Sequence, residues 1–224
     1  MPPLFPLLVR RRLLRRLAGT WRVAVLSAPA GFGKSTLAAQ AIRGRRATWI
    51  RIGPDHRALS NLIGAWIGAA SARADGALPR TRRLFEVHRD LERDLGLLTA
   101  SLAAEFPPGR GERVLVLDDV HELDGATEVI QWLTRVLLSM GPRVRTLVTC
   151  RGSCPLPLAR FEVEGGVLQL GVDDLAFTLA EEHEWLARVL GAPTARRVTA
   201  ELRDSFRGWP AGLALAVRGL SEAP

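Results

Sequence analysis

Residues 28–36, APAGFGKST, decide the fold of this 224-residue chain. They match the phosphate-binding loop pattern G-x-x-x-x-G-K-[S/T], with a small alanine at the first glycine position. Gly31 and Gly33 allow the backbone to curl so that its N–H groups face phosphate oxygens. The apolar run 22–27 predicts a buried strand before the loop, and residues 34–42 predict a helix after it. We therefore expect an α/β P-loop NTPase fold, a parallel sheet flanked by helices, whose nucleotide-binding residues include Ala28, Pro29, Ala30, Gly31, Phe32, Gly33, Lys34, Ser35 and Thr36.

The polar residues of the loop have separate expected roles. Lys34 bridges the β- and γ-phosphates, the Ser35 hydroxyl ligates magnesium, and Thr36 contacts the α-phosphate. The N-terminus of the following helix adds its positive dipole end. Lys34 is the only lysine among the 31 lysine and arginine residues of the chain. Lysine at this one position supports the site, because a compact ammonium fits between two phosphates where a planar guanidinium does not.

The lysine content also bears on the base. Guanine-selective P-loop proteins use an Asn/Thr-Lys-x-Asp element, which a chain with Lys34 as its only lysine cannot contain. Adenine is therefore favoured, and the expected ligands are ATP or ADP with Mg²⁺. The net charge of +8 leaves two interpretations open. One is a composition biased toward arginine, and the other is a surface for a polyanion such as nucleic acid or a membrane.

A second motif with catalytic character is VLVLDD at residues 114–119. An aliphatic strand that ends in a carboxylate, downstream of a phosphate loop, is typical of a Walker B segment. Asp118 is the expected magnesium ligand. Asp119 is the candidate to polarise the attacking water, with Glu122 as an outside alternative.

A third feature is the strand predicted over residues 144–150, which is followed directly by Arg151. If it runs parallel to the Walker B strand, a guanidinium at its end can lie near the γ-phosphate. There it would distinguish triphosphate from diphosphate through a charge-assisted hydrogen bond.

The element pattern changes along the chain. Strands are predicted at 22–27, 47–52, 113–117, 144–150 and 166–170. Helices are predicted at 9–18, 34–42, 58–72, 84–105 and 127–140, and after Gly171 only at 179–190, 194–206 and 211–220. Strands alternating with helices indicate an α/β domain, and the final helices indicate a small helical subdomain. We therefore expect an N-terminal extension and helix at 1–20, the P-loop NTPase domain at 21–171 and the helical subdomain at 172–224.

Some classes are disfavoured by composition. Two cysteines, Cys150 and Cys154, are too few for a disulfide framework or a tetrahedral zinc site. No run approaches the roughly 18 apolar residues of a membrane span. A cytoplasmic protein without a membrane partner is the resulting expectation.

Together these motifs resemble the STAND class of signalling ATPases, and specifically the nucleotide-binding region of large ATP-binding LuxR-type regulators related to the maltose-regulon activator. The resemblance covers nearly the whole chain. Its pieces are 9–14 (VRRRLL), 27–37 (SAPAGFGKSTL), Trp49, 117–121 (LDDVH), Arg151, 174–178 (DLAFT) and 208–213 (GWPAGL).

The resemblance implies a nucleotide switch. The diphosphate form is closed and silent, whereas triphosphate and an inducer favour an open form that self-associates. Pro210 would lie near the adenine, with Val9 and Arg10 on the other side of the base. Such regulators continue into winged-helix, repeat-sensor and helix-turn-helix domains, and no helix-turn-helix is evident before Pro224. DNA would thus be a partner only through domains outside this chain, which would be a fragment, a truncated product or a minimal switch.

Alternative functions are also open. An AAA+-type motor or loader ATPase, acting on nucleic acid or protein, would call for Asp-Glu after the Walker B strand, from which Asp118-Asp119 departs. A small-molecule kinase would need an acceptor pocket and an arginine-bearing lid, and a nucleic-acid-binding module would use the arginine surface. The favoured function is an ATP-binding regulatory switch with slow hydrolysis.

Overall fold

A computed structural model describes residues 6–72, 78–87, 91–106, 112–141, 143–163 and 166–222. These residues fall into two compact units. We call residues 6–19, 28–41 and 170–222 the phosphate-loop unit, and residues 20–27 and 42–169 the sheet unit. The boundaries predicted at residues 20 and 171 follow the change from strands to helices along the chain and stay a prediction. Packing instead groups the phosphate loop and its helix with the late helices.

The sheet has five strands: β1 Val23–Ser27, β2 Ala47–Arg51, β3 Arg113–Asp118, β4 Val144–Cys150 and β5 Val167–Leu170. Their order is β2-β3-β4-β1-β5, and the pairs β2–β3, β3–β4 and β4–β1 are parallel. Ser27 pairs with Cys150, and Leu117 with Val148. The carboxyl ends of β1, β3 and β4 therefore lie along one edge, which is where open parallel sheets place their ligand sites. The predicted α/β fold with a parallel sheet is confirmed.

The central strands are covered on both faces, which is why their residues do not alternate between buried and exposed. All six residues of β3 and all seven of β4 are buried. In the core of the sheet unit the Trp66 ring packs edge-on against Phe106 and Trp132, at centroid distances of 5.8 and 6.1 Å.

The helices, numbered in chain order, are α1 Arg11–Ala18, α2 Lys34–Ala41, α3 Leu59–Ser71, α4 Pro79–Val87, α5 Leu91–Glu105, α6 Thr127–Ser139, α7 Ala159–Glu162, α8 Val172–Leu175, α9 Leu179–Leu190, α10 Ala192–Phe206 and α11 Pro210–Glu222. Where one helix was predicted over 84–105, the structure has α4 and α5, with residues 88–90 outside the described part. Helix α4 also begins earlier than predicted, at Pro79, because proline suits the first position of a helix. The short helices α7 and α8 were not predicted.

In the phosphate-loop unit the late helices share an apolar core with Leu8. This core contains Leu8, Phe177, Trp185, Leu186, Ala195, Leu202, Leu213 and Val217. Helix α9 begins with a capping box, because Thr178 accepts from the Glu181 N–H and Glu181 accepts from the Thr178 N–H. The predicted helical C-terminal region is thereby confirmed.

Candidate functional site

The phosphate loop follows β1 directly and ends where α2 begins at Lys34. Gly31 and Gly33 have φ angles of 83° and 75°, a region that L side chains rarely adopt, so the motif's glycines are required by the backbone. The Lys34 side chain is buried, and its Nζ donates to Ala28 O at 2.6 Å and to Pro29 O at 2.8 Å. The loop thus wraps around the ammonium group that was predicted to bind phosphate.

The Gly208-Trp209-Pro210 segment lies against this loop in the phosphate-loop unit. Trp209 Nε1 donates to Ala30 O at 3.0 Å, and the Ala211 N–H donates to Gly31 O at 3.1 Å. Gly208 has a φ of 80°, and a Cβ there would come within 2.5 Å of Phe177 O. The structure therefore joins two motifs that stand far apart in the sequence.

An apolar cavity of about 230 Å³ opens between these two motifs. Whole-ligand pockets are usually about 300–1,000 Å³, so its size suits one heterocyclic base better than a complete nucleotide. Gly33 and Thr36 border it beside the loop, and Pro210 borders it beside α11. The remaining lining residues are Pro6, Leu7, Leu8, Arg10, Phe32, Leu37, Phe177, Trp185, Ala211 and Ala214.

Arg10 lines the cavity but is mainly a buried anchor. Its guanidinium donates to Leu175 O at 3.0 Å, to Ala176 O at 3.1 Å and to Glu181 Oε1 at 3.1 Å. Desolvation lowers the pKa of Arg10, and Glu181 partly offsets this effect. For Glu181 itself desolvation raises the pKa, but the Thr178 N–H and Arg10 outweigh burial and hold the pKa below its ordinary value. Val9 is 49% exposed and does not line the described cavity, so its proposed place beside the base stays a prediction.

In the sheet unit a threonine links Asp118, the predicted magnesium ligand, with Asp119, the predicted catalytic residue. The buried Asp118 ends β3, and Thr149 Oγ1 on β4 donates to its Oδ1 at 2.6 Å. The same hydroxyl accepts from the Asp119 N–H at 2.9 Å. Asp119 has a left-handed φ of 66°, a backbone strain of the kind that concentrates at functional sites.

Ionisable side chains lie around Asp119. Arg51 Nη2 lies 3.8 Å from Asp119 Oδ2, and His121 Nδ1 lies 3.8 Å from Asp119 Oδ1. The alternative base Glu122 has Oε1 3.5 Å from His121 Nε2. Arg151 follows β4 and is exposed. The roles of Asp119, Glu122 and Arg151 in chemistry stay predictions.

The donors and acceptors suit a magnesium nucleotide. Within the described residues no three His, Cys, Asp or Glu side chains cluster into a metal cage. Magnesium commonly keeps several waters and binds through one or two carboxylates together with substrate phosphates. In the sheet unit Asp118 offers one buried carboxylate, and in the phosphate-loop unit Ser35 offers a hydroxyl and Lys34 a buried ammonium. Their shared role in magnesium and phosphate binding stays a prediction.

Several of these residues were not predicted as site residues. The sequence indicates Thr149 only as part of a strand, and Trp209 only as part of the family motif at 208–213. The Thr-x-x-Glu pattern of Thr178 and Glu181 is a detectable capping-box signal, and it could have indicated Glu181 at this helix start. Nothing local in the sequence pairs Arg10 with a carboxylate that lies 171 residues away.

Comparison with known proteins is consistent with this geometry. No protein-family model matches the chain. Over 211 residues it is 29% identical to the HTH-type transcriptional regulator MalT of Serratia proteamaculans (strain 568), covering 92% of this chain and 23% of that protein. The chain therefore spans about a quarter of the length of this relative.

Two solved structures share the fold. One is a STAND protein with a tetratricopeptide repeat sensor from Pyrococcus horikoshii, with a TM-score of 0.63, 20% identity and coverage of 96% of this chain and 30% of that one. The other is a Walker-type ATPase of Pyrococcus abyssi, with a TM-score of 0.54, 15% identity and coverage of 96% and 68%. The predicted resemblance to a STAND-class P-loop ATPase region is confirmed.

Proposed function

We propose that this STAND-class P-loop ATPase region is an ATP-binding regulatory switch with slow hydrolysis, part of or derived from a transcriptional regulator. The observation that carries the proposal is the phosphate loop closed around the buried Lys34, hydrogen-bonded to the segment that lines the base cavity. A switch needs one nucleotide to hold parts of the chain that are distant in sequence. Here residues 28–36 and 208–211 are those parts.

Different residues are proposed to bind the phosphates and the base of ATP. Lys34 holds the β- and γ-phosphates and Thr36 the α-phosphate. Pro210 and Arg10 border the base, with Val9 beside them. Adenine suits the cavity because the lining is largely apolar and the chain lacks the lysine of a guanine-reading element.

Ser35 and Asp118 are the proposed magnesium ligands. When bound, the ion neutralises charge on the phosphate oxygens. Asp119 orients the attacking water, and Arg151 recognises the γ-phosphate. Aspartate instead of glutamate after Asp118 favours slow turnover over the activity of a motor ATPase. The comparisons do not support the motor alternative better.

Further expectations concern binding partners and cellular location. We propose self-association in the ATP state from the resemblance to STAND-class switches. We propose DNA binding, through domains outside these 224 residues, from the likeness to MalT, an HTH-type transcriptional regulator by name. In the described residues no helix is long and apolar enough to cross a bilayer. We propose a cytoplasmic location without a membrane partner.

The direct test is to titrate the 224-residue chain with ATP and ADP by calorimetry and to measure phosphate release at saturating ATP·Mg²⁺. We expect binding of both nucleotides and turnover well below the ~1–10³ s⁻¹ of typical enzymes. Absence of nucleotide binding would refute the proposal. Turnover within the typical enzyme range would favour the motor alternative instead.

A further inference from the structure

Four consecutive carbonyls of the phosphate loop accept hydrogen bonds, and two of the donors lie outside the motif. Lys34 Nζ donates to Ala28 O and Pro29 O. Ala30 O accepts from Trp209 Nε1 at 3.0 Å, and Gly31 O accepts from the Ala211 N–H at 3.1 Å. The second half of the loop is therefore held by the segment that starts α11.

These bonds also fix where the N–H groups of the loop point. In a trans peptide the C=O of one residue and the N–H of the next lie on opposite sides. Holding Ala30 O toward Trp209 turns the Gly31 N–H the other way, and holding Gly31 O turns the Phe32 N–H in the same manner. Successive backbone N–H groups in such a turn form a concavity for anions.

The indole position is tightly specified. A Cβ on Gly31 would come within 2.6 Å of Trp209 Nε1 and within 2.5 Å of Ala211 Cβ. A Cβ on Gly212 would come within 2.4 Å of Trp209 Cε3. At Gly33, by contrast, a Cβ would meet no described atom within 4 Å, so that glycine is needed only for its φ of 75°. Gly31 is needed for its own φ and for the close approach of the indole.

The geometry points to Trp209 as a positioning residue for the phosphate chain of an adenine nucleotide, acting through the Ala30–Gly31 peptide. This inference rests on the proposed ATP site and deepens it. The family resemblance gave the Gly208-Trp209-Pro210 segment a role at the base through Pro210. The hydrogen bond to Ala30 O gives the same segment a second role at the phosphates.

The test is Trp209→Phe, which keeps an aromatic ring between the glycines and removes only the N–H donor. ADP and adenosine affinities are measured by calorimetry, with adenosine in competition against ADP. We expect ADP to bind about five- to tenfold more weakly, the scale of one neutral hydrogen bond. Adenosine should stay within about twofold of the parent, because it carries no phosphate. The ratio of the two affinities is the decisive readout.

Trp132→Phe is the matched control. It also removes an indole hydrogen bond, to Thr99 Oγ1 at 3.0 Å, but in the sheet unit. We expect a lower melting temperature with both affinities unchanged. Trp209→Phe would overturn the inference if ADP affinity were unchanged, or if ADP and adenosine weakened equally, which is the signature of a structural role alone. Failure of the parent chain to bind ADP or ATP would overturn the proposed function, and this inference with it.

Discussion

The phosphate loop and the pair Asp118-Asp119 are held in place by opposite means. In the loop the acceptors are main-chain carbonyls, met by the Lys34 ammonium and the Trp209 indole. In the acidic pair one side-chain hydroxyl, that of Thr149, links a carboxylate with a backbone N–H. Disturbing the loop should therefore affect nucleotide binding as a whole. Disturbing the acidic pair should affect only the part of binding that depends on magnesium.

The largest expected effect is that of Lys34→Ala. The substitution removes the buried cation that we propose as the phosphate contact, and also the donor to two loop carbonyls. Charge-assisted hydrogen bonds are the strong ones, so we expect ATP and ADP affinities to fall by about 100-fold or more, with and without Mg²⁺. Lys34→Arg keeps the charge and should still be severely impaired, because the guanidinium is planar and larger. Retained micromolar affinity in Lys34→Ala would contradict the assignment of the phosphate site.

Asp118→Asn should give a large but narrower effect. Asparagine keeps an oxygen that can accept from Thr149 but lacks the charge that a magnesium ligand needs. We expect ADP affinity without Mg²⁺ to stay within about twofold of the parent. The Mg²⁺-dependent gain in ATP affinity should fall by about tenfold or more, since even outer-shell partners of a metal contribute about 10–100-fold. Titrations of ATP with and without Mg²⁺ measure both quantities. An equal loss of affinity with and without Mg²⁺ would show that the acidic pair, like the phosphate loop, affects nucleotide binding as a whole.

The parts that could be predicted from the sequence are those with local signals. An apolar run, two glycines and a following helical segment predict the strand, loop and helix around Lys34. The buried strand that ends at Asp118 is equally clear in the sequence, because residues 114–117 are all aliphatic. Fold class and the sheet therefore followed from periodicity and motif.

The connections between motifs could not be predicted in the same way. A threonine within a strand is an ordinary β-former, so nothing marked Thr149 as the residue that links two aspartates. The Trp209 donor and its acceptor Ala30 are 179 residues apart. Arg10 was expected to border the base, yet most of its described hydrogen bonds go to the start of α9 and the residues just before it. Such contacts depend on tertiary packing, for which one sequence has no local signal.

Thr149→Val should have a smaller effect in the same direction as Asp118→Asn. Valine fills similar space but can neither donate to Asp118 nor accept from the Asp119 N–H. We expect the apparent Mg²⁺ affinity of the ATP complex to fall by about tenfold, the lower end for an outer-shell partner. Thr149→Ser keeps the hydroxyl and should restore most of it. If Thr149→Val had the same Mg²⁺ affinity as the parent, Thr149 would have no role in magnesium binding.

The smallest expected effect comes from a buried acid that supports the phosphate-loop unit without contacting the loop. Glu182 on α9 is fully buried, and Arg203 Nη1 lies 3.3 Å from its Oε1 while also donating to Phe177 O at 2.5 Å. Desolvation raises the pKa of Glu182, and Arg203 and the Gly208 N–H oppose that shift without cancelling it. The folded protein therefore holds this proton to higher pH than the unfolded chain does. The stabilisation from this group is complete below the unfolded pKa of roughly 4.3, and it is lost as pH rises through the raised folded pKa.

Glu182→Gln cannot ionise, so its melting temperature relative to the parent should increase between pH 5 and pH 8. We expect a rise of about 2–4 °C, the shift that ~1 kcal/mol produces in a chain of this size. ADP affinity should not change, in contrast to Trp209→Phe, because glutamine keeps an oxygen that can accept from the Gly208 N–H. Glu184→Gln on the same helix, where the acid is exposed and pairs with Arg188, is the control and should show no such trend. If the difference between Glu182→Gln and the parent stayed flat or fell with pH, Glu182 would not be a destabilised carboxylate. Its contact with Arg203 would then have to outweigh the cost of burial.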